Sequence, residues 1–394
     1  LILASVLPHP FKRLDSAADQ THVSRRLALA CLLVSALAAV LAVPGALGKQ
    51  GARSWAEPQI EIVVSHGLMA PDRASFDPTA ILTHAELAQL LPQLEVLIAS
   101  PVAAADDSAG AFEPAPAAEP SAADPSAPVS LAELDRALVR VLGLADAASR
   151  FQRALRQAGL KPPARFGSET VARLLGLRVN HPAADDRLEL APSDPVSHAE
   201  AAYSLARILS LDEAELAAVE NASQEFTAPV LDGWQRRILD VAVSFIGYPY
   251  VWGGTRDRSQ MLFGKQEPGG FDCSGYIWRV FKLQRYEGGA SLAGVLRGRT
   301  TMELAGEVPK AERIAADAIA PADILFFGAK GPRSAAKQID HAAISLGNGW
   351  LIQSSGYGVA LARVDGWYAR RLAWARRPLA EAGLEAAAAA TPAR

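Results

Sequence analysis

From Asp323 to Arg363 four short apolar runs follow one another: Asp323–Phe327, Ala342–Leu346, Trp350–Ser354 and Val359–Arg363. Gly347-Asn348-Gly349 separates the middle pair and reads as a tight hairpin turn. Ahead of them, Trp234–Ile246 and Asp272–Gln284 carry helical spacing. Helices first and consecutive strands afterwards predict an α+β fold, not alternating α/β units.

The rest of the chain is organised differently. Residues 100–130 are Ala, Pro, Ser and acid with almost no large apolar side chain. Such a stretch cannot offset its ordering entropy by burial and predicts a flexible linker. A shorter break falls at Asn221–Pro229. Two segments on either side of the linker repeat in step, Pro78-Thr79-Ala80-Ile81-Leu82-Thr83-His84-Ala85-Glu86 and Pro192-Ser193-Asp194-Pro195-Val196-Ser197-His198-Ala199-Glu200. Thr83 or Ser197 would cap a helix, with Glu86 or Glu200 reaching back to the cap. A degenerate third copy is expected between Ala158 and Leu175. Arg25-Arg26 followed by the apolar run Leu27–Val43 and Pro44-Gly45 predicts an export signal over residues 1–48. It is either cleaved near Ala46-Leu47-Gly48 or kept as an anchor.

At 394 residues the chain holds two to three domains. Half of it is hydrophobic and the formal net charge is −3. That leaves no dense basic face for nucleic acid. Two cysteines exclude a disulfide scaffold and a multi-Cys zinc site. Cys31 lies inside the apolar leader, so if the leader is cleaved the exported part keeps Cys273 alone.

Cys273 stands in Gly270-Phe271-Asp272-Cys273-Ser274-Gly275, where a Gly-rich turn delivers it to a helix start. Free N–H groups there would lower the thiol pKa, and the polar neighbours Asp272 and Ser274 fit a nucleophile better than a core position. A buried structural cysteine is the other reading. A thiolate needs an imidazole partner. The histidine C-terminal to Gly233 is His341, at a strand start; Gln353 falls nearly opposite across the hairpin. Its amide oxygen could fix the ring tautomer.

At this point the chain resembles the NlpC family of cell-wall cysteine peptidases. Ile246-Gly247-Tyr248-Pro249-Tyr250-Val251-Trp252-Gly253-Gly254, Phe271-Asp272-Cys273-Ser274-Gly275, Arg299-Thr300-Thr301, Pro321-Ala322-Asp323-Ile324-Leu325-Phe326-Phe327 and Asp340-His341-Ala342-Ala343-Ile344 occur in the family's order. The resemblance implies a papain-like fold over residues 230–377. It implies Cys273 as nucleophile, His341 as base and Gln353 as third polar residue, where the family most often has His. It places Tyr250 by the oxyanion, and Asp272 and Ser274 along the pocket. It implies hydrolysis of a peptidoglycan stem-peptide amide, typically from γ-D-glutamate to the third-position diamino acid, with no metal or organic cofactor. Two alternatives stay open: a wall-binding scaffold without turnover, and an amidase or acyltransferase on the same fold. Ala322 replaces the family's Gly. Residues 255–270 are longer than the usual connection and should form a loop at the cleft mouth.

The repeats, in turn, resemble S-layer homology units, whose Thr-Arg-Ala-Glu-like motif contributes an Arg to cell-wall polymer binding. Both copies here carry His. Two capped helices in a small scaffold is the competing reading. The expected order is therefore a signal or anchor (1–48), a helical repeat unit (49–99), the linker (100–130), a second helical region (131–220), the peptidase domain (230–377) and a disordered tail (378–394). The membrane would be met only through an uncleaved leader, and the exported protein would reside outside the cell or at the wall.

Overall fold

The computed structural model describes residues 54–99, 124–178 and 189–384. The predicted export signal, Cys31, most of the predicted linker and residues 385–394 lie outside the described residues. Among those described, no helix is long and apolar enough to cross a membrane.

Eight helices come first: α1 (Glu57–Ser65), α2 (His84–Ala99), α3 (Leu131–Val141), α4 (Ala145–Gln157), α5 (Phe166–Leu174), α6 (His198–Leu209), α7 (Glu213–Glu225) and α8 (Gly233–Ser244). The repeat is real but its third copy is not at 158–175. It is Pro125-Ser126-Ala127-Pro128-Val129-Ser130-Leu131-Ala132-Glu133, which straddles the expected boundary at 130 between the linker and the second helical region. Ser130 caps α3 and Glu133 reaches back, a full capping box. The low apolar content of residues 100–123 masked this short motif at the end of the run.

The three copies close a ring. Leu82 N–H donates to the Val196 carbonyl, Val196 N–H to Val129 and Val129 N–H to Leu82, each at 2.9 Å. All three side chains are buried on that axis. A second ring runs in the opposite sense: His84 N–H donates to the Ala127 carbonyl, Leu131 N–H to Asp194 and His198 N–H to Ala80. Each copy thus satisfies backbone groups that a lone capped helix would leave open.

The C-terminal part is the predicted α+β unit. After the corner Ile246–Gly254 come two small antiparallel ladders, β1 (Thr255–Arg256) with β4 (Gly270–Phe271), and β2 (Gln260–Leu262) with β3 (Lys265–Glu267). The expected cleft-mouth loop is therefore a folded hairpin arm. Helix α9 (Cys273–Trp278) continues as a π-helical turn to Leu283. Five strands then form one antiparallel sheet: β5 (Ile324–Gly328), β6 (Ile339–Gly347), β7 (Trp350–Ser355), β8 (Gly358–Arg363) and β9 (Leu372–Arg376), in the order β8-β7-β6-β5-β9. Both faces are covered. Phe326, Ile344, Ile352 and Trp374 join the main core, while Leu325, Phe327, Leu351 and Leu372 pack under Ile314, Ile319 and Tyr368. Two covered faces explain why these strands read as nearly continuous apolar runs. The β6–β7 turn puts Asn348 and Gly349 at positive φ (51° and 77°), as an Asn-Gly hairpin requires.

The segment predicted as a break at 221–229 is a packed connection. Phe226 is buried and meets the Trp350 ring edge-on at 5.0 Å. Pro378–Glu381, expected in the tail, is a short helix with Leu379 buried.

Candidate active site

The corner before the hairpin arm runs beside the strand that leads to Cys273. Val251 N–H donates to the Phe271 carbonyl and Phe271 N–H to that of Pro249, both at 3.1 Å. Helix α9 then starts hard against this corner. A Cβ on Gly275 would stand 1.9 Å from the Gly254 carbonyl oxygen, so only glycine allows the approach.

Asp272 is the N-cap of α9. Its Oδ1 accepts the Gly275 N–H at 2.5 Å and its Oδ2 the Gly253 N–H at 2.9 Å. Arg299 grips the same carboxylate with both Nη atoms, at 3.0 and 2.9 Å, and donates to Ser274 Oγ at 2.7 Å. Asp272 and Ser274 are thus buried and bonded internally. They frame the pocket rather than offering free groups to it. Arg299 has this role without having been singled out; its place in Arg299-Thr300-Thr301 was the available signal.

The environment of Cys273 reverses one expectation. A helix-start cysteine was expected to have a depressed pKa. Burial instead pushes the thiol up to about 12, and the neighbouring Asp272 carboxylate adds to the rise; N–H groups of Ser274 and Ala342 oppose it without winning. The six-residue helix offers little dipole, and its N-terminal N–H groups are partly claimed by Asp272. Burial raises the Tyr250 pKa, and the fields of Cys273 and Asp272 add to the rise. The Tyr250 hydroxyl is therefore a proton donor at neutral pH.

Helix α9 packs on β6 and β7. The Ala342 amide at the Cys273 sulfur is the residue after His341. Nε2 of His341 is hydrogen-bonded to Gln353 Oε1, and Gln353 Nε2 donates to the Tyr368 hydroxyl. An amide oxygen only accepts, so Nε2 carries the ring proton and Nδ1 keeps its lone pair. Burial lowers the His341 pKa below 6.5, and the bond to Gln353 only partly offsets this. The ring is therefore neutral at pH 7. Ser354 Oγ donates to the Phe271 carbonyl at 2.7 Å, tying the strand of Gln353 to the turn before Cys273.

Cys273, Tyr250, Asp272 and Ser274 thus gather at the start of α9, and His341 with Gln353 on the adjoining strands. Tyr368, Phe327 and Trp367 around the imidazole were missed. Tyr368 comes from the helix Gly366–Arg371, and nothing in its local sequence marks it. Of the charged arm residues, Arg256, Asp257, Arg258 and Lys265 are exposed. Among the described residues no cluster of His, Cys, Asp and Glu could hold a metal ion.

The model of the NlpC/P60 family matches residues 247–377. A probable endopeptidase of Mycobacterium tuberculosis (strain ATCC 25618 / H37Rv) is 30% identical over 128 residues, 32% of this chain and 25% of that protein. The γ-D-glutamyl-L-lysine dipeptidyl-peptidase of Bacillus subtilis (strain 168) is 26% identical over 130 residues, 33% of this chain and 35% of that protein. The chain thus spans about a quarter to a third of the length of these relatives. Among solved structures, the P60 domain of an antigen from M. avium subspecies paratuberculosis shows 23% identity over 36% of this chain and 93% of that one, with a TM-score of 0.28. The ordered motifs around Cys273 and His341 and the family match coincide: residues 247–377 of this chain are an NlpC/P60 domain.

Proposed function

We propose that this chain is an exported cysteine peptidase that hydrolyses an amide of the peptidoglycan stem peptide, at the bond from γ-D-glutamate to the diamino acid. The observation that carries the reading is the neutral His341, fixed by Gln353 with Nδ1 unprotonated, on the strands against which the Cys273 helix packs. The bond preference is supported by the name of the Bacillus relative.

Both partners of the reacting pair start neutral. His341 Nδ1 takes the Sγ proton as sulfur attacks the carbonyl carbon, and the C=O pair moves to oxygen. Tyr250 Oη and backbone N–H groups beside the sulfur supply donors for that oxyanion. Collapse breaks the C–N bond, and the amine leaves with the proton from His341. Water then loses a proton to His341 and attacks the thioester; the acid product departs and the thiol is restored. Gln353 holds the ring throughout but adds no charge to stabilise imidazolium.

The ring of three repeats positions the enzyme at the wall in this reading. Polymer binding enters it only through the likeness to S-layer homology units. The positions of the motif's Arg hold His84, Leu131 and His198, and His198 Nε2 lies 3.5 Å from a Glu86 carboxylate oxygen. Carboxylates there repel an anionic polymer, which favours the scaffold role. Export rests on the leader at 27–43.

Incubation with defined muropeptides, followed by product masses, tests the reading. Products split between γ-D-glutamate and the diamino acid support it. No cleavage by the folded chain would favour the scaffold alternative, and cleavage at the sugar–peptide amide the amidase one.

A further inference from the structure

Helix α5 belongs to the repeat region, yet it reaches into the peptidase. Arg173 is 5% exposed. Its Nη2 donates to the Gly247 carbonyl at 2.8 Å, and its Nη1 donates to the Tyr357 carbonyl. Gly247 is three residues before Tyr250. Tyr357 lies in the turn after β7, four residues beyond Gln353. One guanidinium therefore holds both backbone segments that deliver a polar side chain to the cleft.

The same spot is closed by other contacts. Gly247 has φ +88°, and a Cβ there would lie 2.7 Å from the Glu169 carboxylate. Gly247 N–H donates to the Val359 carbonyl at 2.9 Å, and Val359 N–H to Tyr248 at 2.7 Å. At the N-cap of α5, eight residues before Arg173, Arg165 donates to the Ser244 and Ile246 carbonyls at 2.7 and 3.1 Å. The guanidinium of Arg173 is itself fixed by Glu189 at 2.9 Å and Glu169 at 3.4 Å, all with side chains at most 1% exposed. A charge so deeply buried is kept only where its partners are fixed, because losing a partner leaves it uncompensated in a low dielectric.

We infer that Arg173 is a positioning residue of the peptidase: it locks the Gly247–Tyr250 corner to the turn after the Gln353 strand, which makes the repeat region a working part of the catalytic unit rather than a tether. The inference rests on the peptidase reading for its effect on turnover, but not for its effect on structure. Lysine keeps the charge but lacks the planar fork whose two Nη atoms reach the Gly247 and Tyr357 carbonyls separately.

The test uses the full chain carrying Arg173→Lys. A second variant, Arg173→Met with Glu189→Gln, removes the guanidinium and its nearest partner together. Folding is checked by circular dichroism. Three quantities are read: amide exchange over residues 247–250 and 355–359, iodoacetamide alkylation of Cys273, and kcat and KM on one muropeptide. Losing one buried charged hydrogen bond should raise exchange in both segments about 10-fold and lower kcat about as much, with KM nearly unchanged. Alkylation should quicken as the corner opens. With Tyr250→Phe added, the loss in kcat should be less than additive. A folded variant with wild-type exchange and alkylation overturns the inference. A wild-type chain that cleaves nothing overturns the peptidase reading instead, and exchange still decides the clamp. If both variants fail to fold, exchange in the unmodified chain decides: Gly247 and Val359 amides that open while α5 stays protected refute the lock, and opening in step with α5 supports it.

Discussion

Nε2 of His341 meets Oε1 of Gln353 diagonally across the β6–β7 ladder, where Gln353 is two residues short of the position opposite His341. Residues two apart on a strand share a face, so the diagonal puts both side chains on one side of the sheet. Gln353 is 2% exposed, and its N–H donates on to Tyr368. A flipped amide would turn its N–H toward Nε2, which accepts only in the other ring tautomer, so the amide orientation and the tautomer are set together. Gln353→Ala should lower kcat by roughly 10- to 1000-fold, since nucleophile and base remain but the ring is free to turn. Gln353→His should keep substantial activity. Tyr368→Phe should cost about 10-fold, as one hydrogen bond is lost. The measurement is kcat/KM on one muropeptide; a wild-type value for Gln353→Ala would refute the orienting role.

The thiol of Cys273 should behave as an acid far weaker than a free cysteine. Burial and the Asp272 carboxylate push it up to about 12, so alkylation by iodoacetamide should be slow at pH 7 and climb only in the alkaline range. Cys273→Ala should abolish cleavage while changing unfolding stability by no more than about 1–2 kcal/mol. Fast alkylation with an inflection below pH 8 would show that the resting pair is already ionised.

His341 acts as base in its neutral form, and burial lowers its pKa below 6.5. The acid limb of kcat/KM should therefore lie below pH 6.5, with activity kept on the alkaline side of it. Gln353→Glu places a carboxylate on Nε2 and favours imidazolium, so that limb should move up. A limb unmoved by this substitution would mean that another group sets it.

The chemistry of the site was more legible than its surroundings. Cys273, His341, Gln353 and Tyr250 sit in short local patterns that need only a helix start and a hairpin to be placed. Tyr368 and Arg173 reach the site from elements whose own sequence is ordinary, through contacts 15 and 184 residues away along the chain. The third repeat was hidden because Asp124–Ser130 shares the composition of the linker before it. Its order comes from hydrogen bonds to the other two copies, which composition does not register. The thiol pKa was misjudged because a helix start was weighed without the burial of the sulfur and, beside it, the carboxylate capping the helix.

Ala322 occupies the left-handed region, with φ 68°, where the family pattern has Gly. It is 2% exposed, and its N–H donates to the Ser345 carbonyl at 2.9 Å, so the backbone cannot relax away. An L-residue there costs about 1–2 kcal/mol, part of which the buried methyl returns. Ala322→Gly should therefore stabilise the chain by about 0.5–1 kcal/mol, read as a rise in the urea midpoint at unchanged m. A lower midpoint would show that the methyl contact outweighs the strain.

The last prediction concerns the buried charges beside Arg173. Asp135, Glu169 and Glu189 are at most 2% exposed and face two guanidiniums, Arg173 and Arg178. Desolvation, which Arg178 and Arg173 only partly offset, pushes Asp135 up to about 8; desolvation against Arg173 likewise pushes Glu189 up to about 7. Both values exceed those of the unfolded chain, about 3.9 and 4.3. The folded state therefore binds more protons than the unfolded one between these limits. Its stability is full below the unfolded values and is lost as pH rises through 7 to 8. The urea midpoint should fall steadily from pH 5.5 to 8.5. Measuring it in Cys273→Ala removes the thiol, whose raised pKa acts in the same direction above pH 8.5. His341, with its lowered pKa, works the opposite way and only below pH 6.5. Glu189→Gln should flatten the profile, because a neutral amide no longer needs the proton. A midpoint constant across this range would mean that the cluster keeps all its charges, held by Arg173 and Arg178 alone.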